Sequence, residues 1–137
     1  MQISWLKAKK GKAMSKRILV VDDDEMCRSL AAMFLTKAGY QVEKLADGQE
    51  CIDYLKEQPA DLILLDVMMP QLSGPETLAV LRREKLCENT PVLFLSASEN
   101  LEQELAESAV QPDGFIEKPF VPSLLLEAVG QNFKLSR

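Results

Sequence analysis

Four apolar runs in this chain each end in a residue able to bind a polar or ionic ligand. Ile18-Leu19-Val20-Val21 breaks into Asp22, Asp23 and Asp24, and Leu62-Ile63-Leu64-Leu65 ends in Asp66, with Pro70 four residues later. Val92-Leu93-Phe94-Leu95 ends in Ser96, and Gly114-Phe115-Ile116-Glu117 ends in Lys118-Pro119. Carboxylates and hydroxyls accept hydrogen bonds or hold cations, and an ammonium balances negative charge. Each residue also has a plain reading alone: aspartate and serine are common in turns and helix caps, and a lysine before proline is commonly just solvated. The plain readings do not account for a shared position at the end of four runs.

A short, wholly apolar run reads as a strand buried on both faces, as in a parallel sheet. In an open parallel sheet the carboxyl ends of the strands lie along one edge, and ligands bind there, where the strand order reverses. The segments between the runs carry helical signals. Met26, Leu30, Met33 and Phe34 recur at helical spacing, and Gly39 stops that pattern. Tyr40 to Lys44 alternates apolar and polar residues, as a less covered edge strand does. Asp47-Gly48 begins a second helix carrying Cys51, Ile52 and Leu55, ended by Pro59. Ser73-Gly74-Pro75-Glu76 opens a third, with proline in the first turn and Leu78 and Leu81 inward. Ser98 is placed to cap a fourth helix through Leu101 and Leu105, and Val121 to Phe133 forms a fifth with Leu124, Leu125, Ala128 and Val129 inward. Five strands alternating with five helices predict an α/β, doubly wound, five-stranded parallel sheet. Edge-like second and fifth strands fit the order 2-1-3-4-5.

Composition permits this. The 137 residues, 47% hydrophobic and 27% charged, suffice for one domain with a sizeable core. The longest apolar run, Leu30 to Leu35, is far short of the ~20 residues of a membrane helix, and no secretory signal is visible; a cytoplasmic location is expected. Cys27, Cys51 and Cys87 have no zinc-ligand spacing and the chain has no histidine, so they read as small thiols in a reducing compartment. Residues 1–17 hold six of the 16 basic side chains and no acid, leaving ten basic residues against 21 acidic ones, a net of −11, in the rest. That acidic body is a poor nucleic-acid binder by itself, and no direct nucleic-acid partner is expected. Residues 1–15 are expected to be a basic appendage, and 16–137 the folded domain.

The motifs Val21-Asp22-Asp23-Asp24, Asp66-x-x-Met69-Pro70-x-x-x-Gly74, Leu95-Ser96-Ala97 and Lys118-Pro119-Phe120 together resemble the receiver domain of two-component response regulators, from about Lys16 to the end. The resemblance implies a flavodoxin-like (CheY-like) three-layer α/β/α fold in the strand order known for chemotaxis receivers. It further implies that Asp66 accepts a phosphoryl group from a sensor histidine kinase or histidine phosphotransfer protein. By matching position, Mg2+ is held by Asp22, Asp23, Asp66 and the carbonyl of Met68, while Ser96 and Lys118 act on the phosphoryl group. A hard cation with oxygen ligands suits this chemistry, because a carboxylate must approach an anionic phosphoryl group. Three crowded carboxylates without metal should raise at least one pKa.

Ser96 and Phe115 occupy the positions of a switch pair. Phe115 lacks the hydroxyl of the tyrosine found in many relatives, and a plain core role on the fifth strand stays open. Output is expected through a downstream protein or a homodimer at the face of helix 4, strand 5 and helix 5. The chain is read as a phosphoacceptor rather than an enzyme. An aspartyl-phosphate phosphatase would want an acid two residues after its nucleophile, where Met68 stands. A nucleotide binder would want a glycine-rich first turn, where this chain has acids. A phosphorylation-independent adaptor of the same fold is the remaining alternative.

Overall fold

The computed structural model describes residues 15–98, 100–106 and 110–135. The basic appendage expected at 1–15 lies outside them except for Ser15, whose hydroxyl donates to the carbonyl of Gly39 (3.1 Å). Strands β1 (Arg17–Val21), β2 (Gln41–Leu45), β3 (Leu62–Asp66), β4 (Val92–Ser96) and β5 (Gly114–Glu117) form one parallel sheet in the order β2-β1-β3-β4-β5. Helices α1 (Glu25–Lys37), α2 (Gly48–Glu57), α3 (Gly74–Arg83) and α5 (Pro122–Leu135), with the single turn α4 (Leu101–Glu104), connect and follow them. Fold class and strand order are those expected from the sequence.

The two-residue period of the strands splits the core into two layers. Leu19, Val21, Ile63, Leu65, Val92 and Phe94 face α2, α3 and α4 through Ile52, Leu55, Leu78, Leu81 and Leu101. Ile18, Val20, Leu62, Leu64, Leu93, Leu95 and Ile116 face α1 and α5 through Ala31, Leu35, Leu125 and Val129. β3 and β4 are buried along their whole length, whereas no residue of β2 is, as suits an edge strand. Local chemistry sets the helix ends. Asp24 caps α1 by accepting from the backbone N–H groups of Met26 and Cys27, and Gly39, at φ +103°, ends the turn after it. Asp47 caps α2, and Ser73 with Glu76 forms a reciprocal capping box on α3.

Three expectations need correction. The α1 stripe of Met26, Leu30 and Met33 faces outward, at 73%, 41% and 46% exposure, and the buried stripe is Ala31, Ala32 and Leu35. Both stripes have helical spacing, and the small alanines let α1 lie close to the sheet, which periodicity weighted towards large side chains does not detect. Phe34, assigned to the outward stripe's pattern, is half-buried against the inner layer. On α5, Leu124 is 60% exposed while Leu125 and Val129 are fully buried, so the inward face is narrower than the run of leucines suggests. Ser98 does not cap α4. Its hydroxyl accepts from the N–H of Asn100 (3.3 Å) in a local turn before the helix, and Asn100, at the cap position, makes no side-chain capping bond.

Candidate functional site

At the carboxyl edge of the sheet, β1 and β3 are neighbours in space although β2 lies between them in sequence, so this is where the strand order reverses. Asp22 is the first residue after β1, and Asp66 the last of β3. With Asp23 they bring three carboxylates together, one oxygen of each lying within 4.8 Å of the others. Asp22 and Asp66 are buried and Asp23 is exposed.

The three consecutive acids therefore divide their work. Asp24 is taken by the α1 cap. Asp22 is held on every side: its N–H donates to Leu45 O (3.1 Å), and its Oδ1 accepts from the N–H of Asp24 (2.9 Å). Its carbonyl accepts from Arg28 Nη1 (2.6 Å). Asp23, between them, is left facing solvent with its carboxylate on the cluster.

Lys118 follows β5 and spans the cluster, its Nζ 2.8 Å from Asp22 Oδ2 and 3.2 Å from Asp66 Oδ1. The Asp66 contact is a hydrogen bond. The Asp22 contact is an ion pair, and the fully buried Asp22 Oδ2 has no partner besides that ammonium. A buried, charged oxygen with that one partner, facing two more carboxylates, suits a hard cation held by oxygen ligands. Burial first, and the charge of Asp22 second, push the Asp66 carboxyl up to about 6 against the opposing pull of Lys118. Burial would lower the Lys118 ammonium, but the adjacent Asp22 and Asp66 outweigh it and hold it well above the ordinary lysine value.

Ser96 ends β4, and two bonds tie it to its surroundings: its carbonyl accepts from the N–H of Lys118 (2.8 Å), and its hydroxyl accepts from the N–H of Ser98 (3.0 Å). The hydroxyl proton is still free to be donated. A backbone hydrogen bond thus ties the end of β4 to the residue that follows β5. Met68, two residues past Asp66, is 78% exposed at the mouth of the site. Phe115 is half-buried and packs edge-on against Phe94, centroids 6.2 Å apart, lying among core residues in this conformation. The loop from β3 is closed by α3: the Gly74 N–H donates to Val67 O (2.9 Å), and a Cβ there would stand 2.5 Å from the Asp66 carbonyl oxygen. Burial pushes the Cys51 thiol up to about 12 and raises those of Cys27 and Cys87 as well.

Asp22, Asp23, Asp66, Ser96 and Lys118 thus lie along one edge, with the three aspartates and Lys118 in direct proximity and Ser96 bonded to the backbone of Lys118, whereas Phe115 stands further down β5 against Phe94. Sequence reasoning missed Arg28. The one signal for it was a basic residue four positions after the capping aspartate, one helical turn on and back towards the end of β1.

The profile of the response regulator receiver domain matches residues 18–130. The chain is 38% identical over 109 residues to the alkaline phosphatase synthesis transcriptional regulatory protein PhoP of Bacillus subtilis, covering 80% of this chain and 45% of that protein. It is also 38% identical over 113 residues to response regulator MprA of Mycobacterium tuberculosis, covering 82% and 48%. The chain therefore spans less than half the length of these curated relatives. Among solved structures, the chemotaxis response regulator CheY4 of Vibrio cholerae superposes with a TM-score of 0.80 at 32% identity, covering 86% of this chain and 98% of that one. The response regulator TrrA of Thermotoga maritima, in complex with Mg2+ and BeF, does so with a TM-score of 0.74 at 31% identity, covering 85% and 97%.

Proposed function

Because the chain belongs to the receiver-domain family of two-component response regulators, we propose that Asp66 is its phosphoacceptor and that Asp22, Asp23, Asp66 and the Met68 carbonyl hold Mg2+. The observation that carries this reading is the convergence of three carboxylates and Lys118 on one buried point at the strand-order reversal. Mg2+, when bound, supplies the positive charge that lets a carboxylate approach a phosphoryl group. In the transfer, an Asp66 carboxylate oxygen bonds to phosphorus as the bond from phosphorus to the donor's imidazole nitrogen breaks. The imidazole departs with the bonding electrons and takes a proton from solvent. Lys118, already paired with Asp66, turns to a phosphoryl oxygen, and the Ser96 hydroxyl donates to another.

This chain has no histidine, so the phosphoryl group comes from outside these residues, from a sensor histidine kinase, a histidine phosphotransfer domain or a small phosphodonor. The chain acts as a phosphoacceptor rather than a turnover enzyme. Among the described residues no helix is long and apolar enough to cross a membrane, and we place the domain in the cytoplasm, where such donors act. Output runs through a partner protein or a second copy at the face of α4, β5 and α5. Ser96 and Lys118 root that face, Phe115 lies on it, and a groove of about 410 Å³ runs along it between Phe115, Phe120, Val121 and Leu124. Charge added at Asp66 draws Ser96 and Lys118 inward and biases the conformation of the face.

Beryllofluoride with Mg2+, a stable mimic of the phosphoryl group, tests both parts by amide NMR. Wild type is expected to shift at Asp22, Asp66 and Ser96 and onwards from Gly114 to Phe120, and Asp66→Ala to shift nowhere. Shifts in Asp66→Ala equal to wild type would remove the acceptor assignment. Shifts confined to α1 and α2 would remove the output face.

A further inference from the structure

We infer that Arg28 is a positioning residue for the cation site: by clamping the carbonyl of Asp22 it sets the direction of both carboxylates at the end of β1. Arg28 is half-buried on the first turns of α1, and its Nη1 donates to that carbonyl at 2.6 Å, a short, charge-assisted bond. Its own N–H bonds to the carbonyl of Asp24 (2.9 Å), so the side chain reaches back from a fixed turn of helix.

The carbonyl of Asp22 and the nitrogen of Asp23 share one rigid peptide plane. Holding the carbonyl therefore fixes where the Asp23 backbone begins, and with it the line along which the exposed Asp23 carboxylate reaches the cluster. The same plane carries Asp22, whose N–H and Oδ1 are tied to Leu45 and Asp24. Arg28 supplies the remaining restraint. Without it the carbonyl is free to turn towards water, and four acids in sequence from Asp22 to Glu25 favour spreading apart.

Two roles for an arginine here predict opposite signs. A cation that acted only through its charge would repel Mg2+, and removing it would tighten metal binding. A residue that positions the carboxylates weakens metal binding when it is lost, as supports of metal ligands do.

The inference rests on the cation-site reading, and titration of the full chain with Mg2+ alone, followed by amide NMR, tests the two separately. Arg28→Met, which removes charge and donors but keeps the stem, is expected to bind Mg2+ about tenfold more weakly. Arg28→Lys, which keeps the charge but not the planar fork, is expected to bind about threefold more weakly. The rise in melting temperature on adding Mg2+ should shrink in the same order, while a merely structural role would lower melting equally with and without the ion. Unchanged or tighter binding by Arg28→Met overturns the inference, and if that variant does not fold, unchanged or tighter binding by Arg28→Lys does so. Asp22→Asn is the control: if it binds Mg2+ as wild type does, the cation-site reading falls and this inference with it, whereas loss there with no loss in the arginine variants overturns this inference alone.

Discussion

Lys118 Nζ lies 3.2 Å from Asp66 Oδ1, hydrogen-bonded to it between the ends of two strands that do not pair with each other. The bond does not neutralise the site. Burial and the charge of Asp22 still push the Asp66 carboxyl up to about 6 from 3.8. The folded chain thus holds the Asp66 proton more tightly than the unfolded chain does. The stability this contributes is complete below pH 4 and is lost as pH rises through about 6.

Asp66→Asn, neutral throughout, escapes that loss. Without Mg2+, its stability relative to wild type should climb between pH 4 and 6.5, by no more than about 1.4 kcal/mol per pH unit, and level off above that. Denaturant unfolding of both proteins across this range measures the difference. A flat difference would mean that Asp66 is not strained by its surroundings.

Gly74 packs against the backbone that carries Asp66. Because the atoms a Cβ would meet are the Asp66 carbonyl oxygen at 2.5 Å and Val67 Cα at 2.9 Å, no side-chain movement relieves the clash. Gly74→Ala should lose about 1–3 kcal/mol and slow phosphorylation as the β3 end shifts. Urea unfolding within about 0.5 kcal/mol of wild type, the range of neutral surface changes, would contradict the close approach.

The orientation of α1 is testable by contrast. Leu35→Ala should cost about 2–5 kcal/mol, as a buried leucine does, while Met26→Ala and Met33→Ala should stay within about 0.5 kcal/mol. Equal costs would restore the face expected from spacing.

Lifetime of the phosphorylated state depends on placing a water in line with the Asp66–phosphoryl bond. Met68 at the mouth offers no strong hydrogen bond, and the Ser98 hydroxyl is short and engaged with Asn100. The state should therefore be long-lived, and Met68→Asn with Ser98→Glu should lose label faster at fixed Mg2+. Equal rates would show that these side chains do not set it.

The sheet was legible because β3 and β4 are buried on both faces, leaving runs with no polar interruption until the residue that meets the ligand edge. The acids of the candidate site were visible in the sequence, but their division was not. Asp22, Asp23 and Asp24 are alike in sequence, and only the end of β1 and the start of α1 decide which is buried, which is exposed and which caps a helix. Arg28 left only its spacing from the capping Asp24 as a signal, since a side chain that bonds to a backbone carbonyl has no partner residue type to match. The α1 face was misread because alanines carry little hydrophobic weight yet allow the closest approach to the sheet.

Asp66 alone should take the phosphoryl group. Wild type and Asp66→Asn, each incubated with acetyl phosphate and Mg2+ and weighed intact by mass spectrometry, test it most directly. Wild type should gain one phosphoryl group, and none when Mg2+ is chelated before the donor is added, while the variant should gain none. Stoichiometric uptake by Asp66→Asn would contradict it.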